Sequence, residues 1–262
     1  MFGLGRKKTG ARGQVPWLSV VKASETGLVR KENQDSLLAD SALNVFCVAD
    51  GMGGGAEGAR ASAIVCDCIR RNLADAGDGF VNRMEAVAIA IADANSAIFS
   101  YSKSRGYKQM GSTAAALVFE GEKSGRAALC YVGDSRIYRF RRGLAEPLTR
   151  DHSVGVELGS MAGASAAESF FSRANPLAHV LTRSVGTERE VRPDWHKVDV
   201  RKGDRFLICS DGVHDVISDS RLGFLIGYGE LEKAKTRLEA EIVKCGAPDN
   251  YSFIVIEVPK SK

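Results

Sequence analysis

The sequence predicts an α+β layered fold, and three observations carry that prediction. Helical patterns come in pairs, strand patterns come in meanders, and the two never alternate in the strand–helix–strand order that builds a doubly wound sheet. The chain has 262 residues, 44% hydrophobic and 26% charged, enough for one large domain with a substantial core. No Pro-, Ser- or Gly-rich linker divides it, so the expectation is a basic tail over 1–15 followed by a single domain over 16–262.

Residues 17–23 read as a first strand. SETGLVRKENQDS follows over 24–36, with Thr26-Gly27 as a turn signal, and Leu37-Leu38 resumes an apolar run. Residues 45–62, VFCVADGMGGGAEGARAS, begin as a buried strand and break at Asp50-Gly51. They pass through Gly53, Gly54 and Gly55 and enter a helical pattern at Ala56. Ile64, Val65, Cys68, Ile69 and Leu73 share one helical face, which ends at Gly77-Asp78-Gly79. Met84, Val87, Ala88, Ile91, Asn95 and Ile98 then recur at helical spacing, so the two helices are expected to pair antiparallel over a sheet.

Strands are expected over 112–119, 127–132 and 137–140, separated by turn residues such as Gly121, Gly125 and Gly143. The section 151–174 is Gly-, Ala- and Ser-rich with weak periodicity and reads as a long loop or a small mobile subdomain, expected to act as a mobile flap. A short helix is expected over 177–184 and a strand over 198–200. Lys202-Gly203-Asp204 turns into a buried strand over 205–209 that ends in Ser210-Asp211-Gly212. Residues 231–243 form an amphipathic helix, and an alternating strand over 251–258 closes the chain.

The net charge is +4, part of it in Arg6, Lys7, Lys8 and Arg12 and in Lys260 and Lys262, a balance that calls for neither nucleic acid nor a membrane surface. The basic start is followed by no apolar signal-peptide core, and no run approaches a membrane span. The six cysteines form no CxxC pair, and three of them, Cys47, Cys130 and Cys209, lie in apolar strand patterns. A reducing cytoplasm is the expected compartment.

Three strand ends resemble each other: Ala49-Asp50-Gly51, Gly133-Asp134-Ser135 and Ser210-Asp211-Gly212. A fourth acid, Asp249, opens the last strand. Carboxylates crowded together stay ionised only when cations neutralise them. Oxygen-only ligation selects hard ions, Mg²⁺ or Mn²⁺. Convergence of these strand ends is the expectation on which the functional reading turns.

The same segments carry a family resemblance. TGLVRKENQDS, VADGMGG, GSTAA, YVGDSRIYR, LTRDHS, LTRSVG, ICSDGVHDVIS and APDNYSFIVI occur in order from end to end. The chain resembles the metal-dependent protein phosphatases, the PPM family of type 2C serine/threonine phosphatases, in their compact bacterial form. The resemblance implies a four-layer α/β/β/α sandwich, with two central antiparallel β-sheets flanked by antiparallel helix pairs. It implies that Asp50 bridges two core Mn²⁺ or Mg²⁺ ions and that the Gly51 carbonyl binds one of them. Asp211 and Asp249 would complete the other, and Asp134 with Asp211 would hold a weaker third ion. Asp35 would orient metal-bound water and Arg30 would bind the substrate phosphate. The implied reaction is hydrolysis of phosphoseryl and phosphothreonyl proteins by a hydroxide held between the two ions. A bacterial serine/threonine kinase is the implied counterpart.

Two departures from the family pattern stand out. Gln34 replaces a glutamate common before the Asp35 position, which weakens the expected second metal. Met52 and Gly55 occupy places where relatives carry a histidine, so the leaving-group acid is unassigned. Of the four histidines, His152, His179, His196 and His214, His214 is expected in the wall of the site and His152 as an anchor for the loop after it. Two other readings compete. A catalytically weak or inactive relative that binds phosphoproteins is disfavoured because Asp50, Asp134, Asp211 and Asp249 all stand. A two-metal nuclease would need a basic, aromatic-lined groove that the sequence lacks.

Overall fold

Strand β3 (Val45–Met52) shows how the layers form. Phe46 and Val48 point to one side and join an apolar layer between two sheets, while Val45, Cys47 and Ala49 point to the other and pack under helices. Its neighbours β5 (Ala114–Phe119) and β6 (Arg126–Val132) divide the same way: Leu117, Phe119 and Leu129 go to the inner layer, and Ala116, Val118 and Cys130 to the helical side. Both faces are covered, so the strands read as continuous apolar runs.

A computed structural model describes residues 17–54, 56–76, 79–107, 109–162 and 176–260; the expected tail over 1–15 and the part 163–174 of the expected flap lie outside them. The remaining strands are β1 (Ser19–Glu25), β2 (Asp35–Asp40), β4 (Gly111–Ser112), β7 (Arg136–Arg141), β8 (Leu144–Pro147), β9 (Asp194–Asp199), β10 (Arg205–Cys209) and β11 (Tyr251–Glu257). A five-stranded antiparallel sheet runs β1-β11-β10-β7-β8, and a six-stranded one runs β2-β3-β5-β6-β9 with β4 beside β3. Between them, Phe119 makes edge-to-face contacts with Phe46 (ring centroids 5.9 Å apart) and, across the gap, with Phe206 on β10 (5.4 Å).

Helices α1 (Ala56–Asp75) and α2 (Phe80–Arg105) cover the outer face of the six-stranded sheet with Val65, Ile69, Leu73, Val87, Ile91 and Ile98. Burying each of these side chains stabilises the layer by about 2 kcal/mol. Only four residues separate the two helices, which turns α2 back antiparallel on α1. Gly106 ends α2 in the left-handed region (φ 69°), where its N–H and that of Tyr107 satisfy the carbonyls of Lys103 and Ser102. After the short α3 (Val154–Ala162) and α4 (Asp211–His214), helices α5 (Asp219–Ile226) and α6 (Leu231–Lys244) cover the other sheet with Leu222, Leu225, Leu238 and Ile242. The four layers are those the resemblance implies. Among the described residues no helix is long and apolar enough to cross a membrane.

Several elements differ from expectation. The strand over 112–119 is split at Thr113, whose backbone and hydroxyl both bond Asp50 instead of continuing a ladder. The section from 151 carries α3, and Gly155, which has no Cβ, lets that helix approach the 3-10 turn Pro176–His179. A Cβ there would meet Ala178 at 3.0 Å. The helix expected over 177–184 stops at His179, since Leu181 bridges to Ser153 and Val185 to Ser112 in extended form. Strand β8 and helix α5 were not foreseen.

Candidate active site

The ends of β3, β6, β10 and the start of β11 meet at one edge of the sandwich, around an open cleft of 630 Å³. Arg30, Asp50, Gly51, Asp134, Asp211 and Asp249 all line it. Asp35 stands behind them, buried beneath the cleft and paired with Asp50 in the β2–β3 register.

Backbone packing places each acid. The Asp50 N–H donates to Thr113 Oγ1 (2.9 Å), and the Asp50 carbonyl accepts from the Thr113 N–H (2.8 Å). Gly51 donates to the Gln34 carbonyl (3.1 Å), and a Cβ on it would lie 2.0 Å from the Gly58 carbonyl oxygen, so no side chain fits where β3 meets α1. Gly133 turns β6 into Asp134 with φ +100° while packed on Thr113. Thr113 Oγ1 also meets Ser135 Oγ at 2.6 Å, which ties the Asp50 and Asp134 strand ends together. Gly212 lets α4 start against β11, where a Cβ would stand 2.0 Å from the Asn250 carbonyl oxygen.

Asn250 is the hub on the far side. Its buried amide donates to the carbonyls of Thr26 and Glu32 (both 2.9 Å), its Oδ1 accepts from the Gln34 N–H (3.0 Å), and its N–H donates to Asp249 Oδ1 (2.8 Å). The segment from Thr26 to Gln34 is thereby fastened to Asp249. Arg30, exposed at the rim, reaches back with Nη2 to Asp249 Oδ2 at 2.6 Å.

The electrostatics of the cluster are those of stacked negative charge. Burial, then Asp211, Asp35 and Asp134, push the Asp50 carboxyl far above the usual carboxylate range. Asp134 is raised by burial and then by Asp211, Asp151 and Asp215. Asp211 is raised by burial, against the pull of His214. Asp35 is pushed up to about 6, chiefly by burial, although the hydroxyls of Ser252 and Ser210 favour its charged form. Ser210 Oγ donates to Asp35 Oδ2 at 2.9 Å, while Asp35 Oδ1 and Asp211 Oδ1 are buried without a hydrogen-bond partner.

Among the described residues no three His, Cys, Asp or Glu side chains already form a group that could hold a metal ion. Asp249 is turned to Arg30, while Asp50 lies close to Asp211 and Asp35. The donor set nonetheless fits hard divalent cations: oxygen only, two unpartnered carboxylate oxygens, and carboxyls that burial and mutual repulsion keep from ionising. Asp50, the Gly51 carbonyl, Asp134, Asp211 and Asp249 are the residues that could hold them.

Of the expected histidines, His179 lines the cleft, with Nδ1 3.6 Å from Asp215 Oδ2. His214 lies buried under it, with Nε2 at 3.0 Å from the Asp134 carbonyl oxygen. Its Nδ1 comes within 3.3 Å of Asp215 Oδ1, close enough for attraction but not aligned as a hydrogen bond. Gln34 lines the cleft, and its backbone is fixed on both sides, the N–H donating to Asn250 Oδ1 and the carbonyl accepting from the Gly51 N–H. Met52 lines the cleft and Gly55 lies outside the described residues. Sequence reasoning missed Thr113, Ser210 and Asn250 as organisers of the site. Each lies inside or beside a quoted motif, but neutral side chains that bond backbone leave no pattern of their own.

Residues 29–240 match the family described as Protein phosphatase 2C. The serine/threonine protein phosphatase PstP of Mycobacterium tuberculosis is 32% identical over 237 residues, 90% of this chain and 44% of PstP, so the chain spans less than half the length of that relative. The solved structure of PppA, described as a key regulatory component of T6SS in Pseudomonas aeruginosa, superposes with a TM-score of 0.81 at 31% identity, covering 92% of this chain and 97% of PppA. The catalytic domain of PstP in complex with two manganese ions superposes with a TM-score of 0.78 at 30% identity, covering 93% of this chain and 99% of that domain.

Proposed function

The chain belongs to the protein phosphatase 2C family, and from that premise we propose that it is a metal-dependent serine/threonine protein phosphatase. The observation that supports this most is the meeting of Asp50, Asp134, Asp211 and Asp249 around one cleft with Arg30 at its rim. The substrates are phosphoseryl and phosphothreonyl side chains of proteins, supplied by a serine/threonine kinase in the same cytoplasm.

Asp50, the Gly51 carbonyl, Asp211 and Asp249 are the proposed holders of two Mn²⁺ or Mg²⁺ ions, and Asp134 with Asp211 of a weaker third. When bound, such ions neutralise the carboxylates and lower the pKa of water to make a nucleophile at neutral pH. The protein's own side chains do the rest. Arg30 presents a planar fork to phosphate oxygens, and it must exchange Asp249 for the incoming phosphate. Asp35 backs Asp50 from below and, fixed by Ser210, orients water above it. The section 151–174, whose described part carries α3, is the proposed substrate-facing flap.

The test is hydrolysis of p-nitrophenyl phosphate and of a phosphoseryl peptide with Mn²⁺. Turnover that ceases with chelator and returns with metal is expected. Phosphopeptide binding without turnover in excess Mn²⁺ would replace this reading with that of an inactive phosphoprotein-binding regulator.

A further inference from the structure

The Gly133–Asp134 turn is held by a histidine to which the reaction assigns no part. His152 is 2% exposed. The Gly133 N–H donates to His152 Nδ1 at 3.1 Å, and the His152 N–H donates to the Gly133 carbonyl at 3.0 Å, so the two residues close a ring of two bonds. A backbone N–H can only donate, which leaves Nδ1 bare and puts the proton of the neutral ring on Nε2. Nε2 stands 3.3 Å from Asp194 Oδ2, and Arg183 in turn holds Asp194, Nη1 to Oδ1 at 2.8 Å. Tyr131 stacks on the imidazole, centroids 5.1 Å apart and planes 19° apart. The His152 carbonyl accepts from the Thr182 N–H at 2.9 Å, and Ser153 bridges Leu181 immediately before α3.

One residue therefore touches three parts: its ring joins the turn bearing Asp134 to the edge strand β9 through Asp194, and its backbone carbonyl holds the wall of the cleft at Thr182. We propose that His152 is a positioning residue that fixes the Asp134 turn through a bare Nδ1 aimed at the Gly133 N–H, while its backbone keeps that turn beside the cleft wall at Thr182. The proposal rests on the reading of Asp134 as an ion-holding carboxylate. Burial first, then Arg183, disfavour the charged imidazole more than Asp194 and Glu157 favour it, which keeps the acceptor available. Simple packing would ask only for a flat ring on Tyr131. An acceptor at one particular atom is a stricter requirement, and it separates two conservative variants. The Oδ1 of asparagine falls near the Nδ1 position, whereas the amide of glutamine falls near Nε2.

The experiment compares His152→Asn and His152→Gln with the unaltered, magnesium-loaded protein. Nitrogen NMR of the unaltered protein should show the Nε2–H tautomer. Exchange of the Gly133 amide should be about tenfold faster in the Gln variant than in the Asn variant, as loss of one buried hydrogen bond implies. Phosphopeptide turnover and weak-ion affinity should fall in the Gln variant and be largely restored in the Asn variant, with KM little changed. An Nδ1–H tautomer in the unaltered protein overturns the proposal, and needs no variant to fold. Equal exchange in the two variants overturns it as well. Should the unaltered protein hydrolyse no phosphomonoester at all, the phosphatase reading fails by itself, while tautomer and exchange still decide whether His152 holds the turn.

Discussion

Arg30 and Asp249, 219 positions apart in the chain, meet at 2.6 Å across the mouth of the cleft. One partner is the proposed phosphate ligand and the other a proposed metal ligand, so each occupies what the other needs to release. Arg30→Ala is expected to raise KM for a phosphopeptide by about tenfold or more, the loss of a charge-assisted hydrogen bond. Mn²⁺ affinity should be unchanged or tighter, since Asp249 is freed. Calorimetric titration beside steady-state kinetics checks both, and weakened metal binding with intact KM would reverse the assignment.

Asp50→Asn should lower turnover at least ~10²-fold, because even outer-shell changes at metal sites cost 10–100-fold. The fold should survive, since Thr113 holds the Asp50 backbone and not its carboxylate. In chelator at neutral pH the variant should melt at the same temperature as the parent or higher, because an amide is neutral beside Asp211, Asp35 and Asp134 without having to take up a proton on folding. Activity retained would sink the bridging role.

Metal-free protein should lose stability as pH rises. Asp35 and Asp50 hold protons more tightly folded than unfolded, so their favourable contribution is whole below the ordinary carboxylate range, near pH 4. That contribution is lost as pH climbs through about 6, where Asp35 ionises. Melting in chelator between pH 4.5 and 7 (~0.5-unit steps suffice) should show this decline, and added Mn²⁺ should raise the midpoint more at pH 7 than at pH 5. A flat profile would mean that the carboxyls are not strained by their neighbours.

Asp134→Ala should leave the tight metal pair bound, because its strand end is separate from the Asp50, Asp211 and Asp249 set. Turnover of a phosphoseryl peptide should fall ~10²-fold, the scale of losing assistance to a poor leaving group. p-Nitrophenolate needs no such assistance and should suffer less. Equal losses on both substrates would remove the leaving-group role.

How far the sequence discloses this molecule depends on what each residue does for its neighbours. Asp50, Asp134 and Asp211 were legible because each ends a buried apolar strand, a pattern visible within five residues. The layered α+β class was legible because helical patterns come in pairs and strand patterns in meanders; the division of β3, β5 and β10 between two apolar environments was not, since both of their faces are apolar. The α3 helix was not, since its composition is that of a loop and the turn it packs against, at Ala178, lies more than fifteen residues onward. Nor was the Arg30–Asp249 pair, because nothing local at either position reports a contact between the two ends of the chain. Thr113 and Asn250 act through backbone bonds that no periodicity records.

The carboxylates come from both sheets: Asp50 from the end of one, Asp211 and Asp249 from the end of the other, and Asp134 from the turn that crosses between them. Their separation is therefore set by the thickness of the interior, and Phe46, Phe119 and Phe206 are its gauge. Interiors this dense transmit small displacements without absorbing them. A ring lost from the middle layer would retune the spacing of the carboxylates at the rim with no acid altered. Mutational tolerance in this protein thus runs along the sandwich axis, and the site's specification extends to residues that no substrate will ever approach.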